Sequence, residues 1–291
     1  MTHKTFLFAA LVGVLGWCCV SCESNDPSTT GGSSTYVAKA FSVSANKQVI
    51  FSPGNLQYQA STDTWRFANN QYDYVGELNE EISPTNENWI DLFGWGTGNN
   101  PTNTSEDEAD YATFVDWGTN KIGKDKPNTW RTLTLDEWEY LLSERPNAQT
   151  LWGIATIGNI HGAILLPDDF ALPMNMIFLS GEDGDLGWAL NVYTTQAWEK
   201  MEQNGAVFIP AAGYREWDID GMHFWEETEG DKILMVNDVQ VFGFYWSSTI
   251  LNDGYDDWVY SVEICDEECV VDDGGLSRLA KGFSVRLVQD L

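Results

Sequence analysis

The sharpest chemical pattern in this chain is EWDIDGMHFWEE, Glu216 to Glu227. Glu216, Asp218 and Asp220 alternate, Gly221 follows, and Glu227 closes the pattern. Alternating oxygen ligands, a glycine for a sharp turn and a distal bidentate carboxylate are what a calcium loop requires. Calcium is therefore the one cofactor the sequence raises. The pattern departs from such a loop at its first ligand, which is Glu, and at His223, which takes the usual aliphatic position. It also lacks flanking helices, so an exposed acidic turn between strands is the alternative.

A second cluster lies between Ile250 and Lys281. Asn252, Tyr255, Asp257, Trp258, Tyr260, Asp272, Ser277 and Arg278 mix rigid aromatic area with adaptable hydrogen-bonding groups, the composition of a contact surface. Asn252 to Asp257 offers further oxygen ligands, without a recognisable ligand spacing. The alternative for the whole stretch is a solvated acidic hairpin. Nucleophilic chemistry has little to work with. His161 and His223 are the only histidines after His3, and Ser247-Ser248 sits in YWSST without the glycines of a nucleophile elbow. With 44 acidic residues, chance carboxylate pairs are unavoidable, so they assign no hydrolytic site.

Composition narrows the classes. The chain has 291 residues, 15 basic against 44 acidic, for a net charge of −29. A surface this negative repels phosphate backbones, which argues against nucleic acid as a partner. Phe6 to Val20 is an apolar run behind Lys4, too short for a membrane span and suited to an export signal. A cysteine at its end resembles the lipobox of a bacterial lipoprotein, departing from it where Cys19 stands in place of the usual Leu. Residues 1–21 are then the signal, Cys22 the lipidated residue, and 22–35 a Ser/Thr/Gly-rich tether. Cys18 as the lipidated residue and plain secretion are the alternatives. The address that follows is the outer membrane, reached through the lipid anchor alone and facing the cell surface.

The elements that must position these groups are short. Phe41/Val43 and Val49/Phe51 alternate around a turn, as do Leu56/Tyr58 and Trp65/Phe67 after Pro53-Gly54. Thr134 with Glu137 forms a capping box before a Trp138-Leu141-Leu142 stripe. A second helix starts near Thr194 and stops at Asn204-Gly205. AVFIP, FYWSS, WVYSVEI and FSVRLV read as strands. In the last, Phe283, Val285 and Leu287 share one face, and Ser284, Arg286 and Val288 the other. Strands before and after two helices predict an α+β fold with a mainly antiparallel twisted sheet and long loops, in one domain over 36–291. Trp130, Trp138, Trp246 and Phe283 are expected in the core. Arg215 and Arg286 are expected as structural pins needing carboxylate or carbonyl partners.

FSPGNLQYQ with TWRFA, then IDLFGWGT, WRTLTLDEWEYLL, VFIPAAGYR, YWSST and GFSVRLV occur in this order. Together they resemble a family of secreted Bacteroidetes lipoproteins related to the Fibrobacter succinogenes major paralogous domain. The resemblance implies a C-type-lectin-like fold, shared with formylglycine-generating enzymes, with binding carried by loops before the last strand. It points to a surface-anchored, non-enzymatic module that holds a glycan or a protein through residues 250–281. A structural or adhesin-associated envelope protein, with contacts at the acidic Gly94 to Asp110 region, is the alternative. The remote alternative is an oxidase of the formylglycine-generating type. Its cysteine pair has C-x4-C spacing, whereas Cys265 and Cys269 are C-x3-C with acidic neighbours that raise a thiol pKa. For an exported chain these two cysteines are expected as a local disulfide around a three-residue hairpin loop.

Overall fold

The computed structural model describes residues 36–219, 232–252 and 257–291. The chain opens with the hairpin β1 (Phe41–Ser44) and β2 (Lys47–Phe51). β3 (Leu56–Gln59) then pairs with β4 (Thr64–Phe67) and with β5 (Trp89–Ile90). The expected alternation holds, with Leu56, Tyr58, Trp65, Phe67 and Ile90 all buried in one cluster. Gly54 is required where the chain turns into β3, since a Cβ there would stand 2.7 Å from the Ala68 carbonyl oxygen.

Both predicted helices form. Thr134 Oγ1 accepts from the Glu137 amide, Glu137 Oε2 accepts from the Thr134 amide, and α1 (Leu135–Glu139) follows. It runs directly into a π-helical turn at Tyr140–Glu144. A hairpin that the hydrophobic pattern did not single out comes next. β6 (Trp152–Ile157) and β7 (Ile160–Leu165) form a hairpin, and β8 (Val192–Tyr193) adds in parallel to β6. α2 (Thr195–Glu202) is capped by Thr194 and ends before Gly205, whose φ of +89 suits glycine. β9 (Val207–Pro210) then pairs with β7.

β10 (Tyr214–Ile219) pairs with β11 (Lys232–Asn237). β12 (Gly243–Asn252), β13 (Asp257–Ile264) and β14 (Cys269–Ser277) form an antiparallel meander, and β15 (Val288–Asp290) returns to β2. The architecture is α+β with mostly antiparallel pairing and few helices, divided among several small sheets.

FSVRLV is not one continuous strand. It threads the interior as extended backbone making single bridges, Phe283 to Phe93 and Ser284 to Tyr245, before β15 begins. The two-faced reading holds: Phe283, Val285 and Leu287 enter one apolar cluster and Val288 another. Trp138 and Trp246 are buried core aromatics as expected, while Trp130 is only partly buried and its indole N–H donates to Asp125.

Arg215 and Arg286 are buried, as expected, but neither bonds directly to a carboxylate among the described residues. Arg286 donates to Asn55 Oδ1 at 3.2 Å and to Gln71 Oε1 at 2.6 Å. Gln71 in turn donates to Glu202 at 3.0 Å, so the charge is balanced through an intervening amide. Arg215 reaches the Leu92 carbonyl at 3.4 Å, and its Nη1 and Nη2 have no partner among the described residues. Burial pushes both guanidinium pKa values down to about 10.

Candidate functional site

The described residues place one polar cleft against the C-terminal segment. Its volume is about 370 Å³, and it is lined by Glu106, Glu108, Glu216, Trp217, Arg278 and Lys281. Three pieces of chain meet there. β10 supplies Glu216 and Trp217. A 3₁₀ turn at Glu108–Tyr111, capped by Asp107, supplies the acidic wall. The 278–281 turn supplies the cations.

Backbone bonds hold these pieces in place. The Arg215 amide donates to the Gly282 carbonyl at 2.9 Å, and the Gly282 amide donates back at 2.7 Å. The Trp95 amide donates to the Leu279 carbonyl at 2.9 Å. Tyr111 packs against Gly94, where a Cβ would lie 2.4 Å from the ring, and its hydroxyl donates to the Ser105 carbonyl. The Trp217 indole N–H donates to the Thr104 carbonyl, which fixes the ring as a cleft wall.

The charges are mixed. Lys281 Nζ lies 3.3 Å from Glu216 Oε2 and 4.6 Å from the centre of the Tyr214 ring. Burial raises the Glu108 carboxyl pKa, against the opposing pull of the Leu279 and Ala280 amides and the Arg278 charge. Glu108 Oε2 is buried with no hydrogen-bond partner. Arg278 is exposed at the cleft edge. Carboxylates, a guanidinium and an indole within one cleft can recognise a polar ligand by hydrogen bonds while an aromatic ring covers its apolar part.

Two of the sequence-predicted residues, Glu216 and Arg278, come together here, although they were assigned to different sites. Most of the others lie elsewhere. The 250–281 stretch is mainly strand rather than loop, with Asn252 opposite Asp257, Asp272 opposite Ser261 and Ser277 opposite Val259. Trp258 stands opposite Leu251, and the Tyr260 carbonyl accepts from Ser247 Oγ. Tyr255 lies outside the described residues, as do Cys22, Asp220 and Glu227. Glu216 and Asp218 sit two apart on the straight strand β10, opposite Met235 and Ile233. Among the described residues no group of three metal-ligating side chains gathers.

Cys265 and Cys269 are free thiols, not the expected disulfide. The register explains why. The Cys265 amide bonds to Glu268, and Cys269 pairs with Ile264, so the connecting loop is two residues and the cysteines are offset by one. Successive side chains on a strand point to opposite faces, whereas a disulfide needs Cβ atoms about 3.8 Å apart. Burial, with nearby acidic residues, pushes both thiol pKa values up.

Sequence reasoning missed Trp217, Lys281 and Glu108 as partners. The run Glu106-Asp107-Glu108 was visible, but nothing local ties it to a turn about 170 residues downstream. No protein-family model, no curated protein and no solved structure matches the chain.

Proposed function

We propose that this protein is a non-enzymatic ligand-binding module, lipid-anchored at the cell surface, that holds a glycan or a protein in the cleft beside its C-terminal meander. The single observation that carries the reading is that cleft, where Trp217 and Arg278 stand with Glu106, Glu108 and Glu216 around about 370 Å³. This volume lies within the usual range for small-ligand sites. The lectin-like fold belongs to the same proposal. It is supported by the ordered motifs and by the α+β arrangement of small antiparallel sheets with two short helices. Two thiols with raised pKa values and offset strand positions speak against the oxidase alternative.

The test is a glycan and protein array probed with the full chain, with and without calcium. Replacing Trp217 and Arg278 together with alanine removes binding while leaving the fold intact. A parallel Trp258→Ala/Tyr260→Ala variant reports whether the meander contributes. Binding that survives both double variants refutes the cleft and shifts the weight to a structural envelope role. Calcium-independent binding removes calcium from the proposal.

A further inference from the structure

We infer that the outward face of the β4-β3-β5 sheet is a separate binding groove for an uncharged oligosaccharide. It shares no lining residue with the C-terminal cleft, so it stands or falls apart from that reading. The argument begins with register. Leu56, Tyr58, Trp65 and Phe67 point into the core, so Gln57, Gln59 and Arg66 take the opposite face, with Trp89 beside Gln59. On this face lies a groove of about 460 Å³, walled on its far side by the segment carrying Asn69, Asp73 and Tyr74.

Its floor is pre-set. The Arg66 guanidinium lies 3.7 Å above the centre of the Trp89 ring, and its Nε donates to Gln57 Oε1 at 2.9 Å. Gln59 is held at both ends, donating to the Glu87 carbonyl and accepting from Thr62 Oγ1. The Asp73 carboxylate accepts from the Asn70 amide at 2.9 Å. Arg66 Nη1 and Nη2 close no hydrogen bond among the described residues, which leaves planar donors facing the groove.

This inventory suits sugars better than other ligands. A hydroxyl both donates and accepts, and side-chain amides, a guanidinium and a carboxylate answer both roles. The Arg66 guanidinium lying over the Trp89 ring, with Tyr74 on the wall, offers planar area to the C–H face of a pyranose ring. An anionic ligand is disfavoured. Arg66 is the one cation lining the groove, Asp73 and Glu87 flank it, and the whole chain carries −29.

The experiment is isothermal titration of the full chain with cellohexaose, maltohexaose, xylohexaose and mannohexaose, with hexagalacturonate as the anionic control. At least one neutral hexasaccharide binds, and hexagalacturonate does not. Arg66→Lys, which keeps the charge but loses the plane, and Trp89→Ala each weaken binding at least tenfold, whereas Met174→Ala, at an exposed position that lines neither cleft, leaves it unchanged. Asn69 is exposed, so Asn69→Trp fills the groove without disturbing the core and also removes binding. Near-ultraviolet circular dichroism checks that each variant is folded. The inference is overturned if no neutral sugar binds, if only the charged sugar binds, if Asn69→Trp retains full affinity, or if Met174→Ala abolishes binding.

Discussion

Asn79 offers the clearest test of how the loop-rich first third of the chain is held. It is fully buried, and its amide closes four hydrogen bonds. Nδ2 donates to the Gly76 carbonyl at 2.8 Å and to Asp91 Oδ1 at 2.9 Å. Oδ1 accepts from the Asp91 amide at 2.9 Å and the Leu92 amide at 3.0 Å. Asn79→Ala strands two buried N–H groups and a carbonyl, and takes one donor from a buried carboxylate. At about 1 kcal/mol net per bond, with a further penalty for the stranded groups, the loss is about 3–5 kcal/mol. Urea unfolding of the full chain near pH 7, followed by tryptophan fluorescence, measures it. Asn79→Asp sharpens the test, because it turns an oxygen toward the Gly76 carbonyl and the Asp91 carboxylate. It costs more than alanine near neutrality and recovers on acidification, when a proton restores the missing donor. A loss below about 1 kcal/mol for Asn79→Ala, or an Asp variant as stable as the parent near pH 7, refutes the network as described.

Burial raises the Asp91 carboxyl to about 6, against donors from Asn79 and Val75. The folded state therefore takes up this proton before the unfolded state does, and Asp91 contributes stability at low pH that is lost as pH rises through about 6. Relative to Asp91→Asn, the parent chain gains about 2 kcal/mol between neutral pH and about pH 4.5 in paired urea titrations. Glu137 has the opposite sign. Arg131 and Lys47, with the Thr134 amide, overcome burial and hold its carboxyl below the usual value, so its contribution is lost as pH falls through that lowered pKa. Glu137→Ala costs about 2–3 kcal/mol near pH 7 by thermal or urea unfolding, and less in acid. Gly118→Ala drives a Cβ to 1.8 Å from the Trp130 carbonyl oxygen, a backbone clash expected to cost about 3 kcal/mol or more, read as a lowered urea midpoint. Cys265 and Cys269 resist iodoacetamide in the folded chain at mildly alkaline pH and react on unfolding; mass spectrometry that finds a bridge between them contradicts the offset register.

Local signals were legible where one residue acts on its near neighbours. The Thr134–Glu137 capping box and the Thr194 cap mark helix starts because the groups they satisfy are three residues away. The Leu56/Tyr58 and Trp65/Phe67 alternation survives because a half-buried strand imposes a period of two. β6 and β7 carry no alternation to mark them, because both their faces are largely buried and an apolar run replaces the period of two. The disulfide expectation failed for a related reason. Spacing and compartment pair two cysteines in sequence, but a one-residue offset in register turns their side chains apart.

The net charge, the α+β class and most of the short elements were legible in the sequence alone. Each of these depends on composition or on neighbours within one turn or one strand. Long-range packing is what brings Glu216 and Arg278, assigned to separate sites, into one cleft with Glu108, and lays Arg66 on Trp89. Those groups meet through bridges such as Arg215 to Gly282 and through pairings such as β3 with β5. Contacts of that kind leave no periodic trace in the chain, because their spacing is set by loop lengths and core packing rather than by the repeat of a helix or strand.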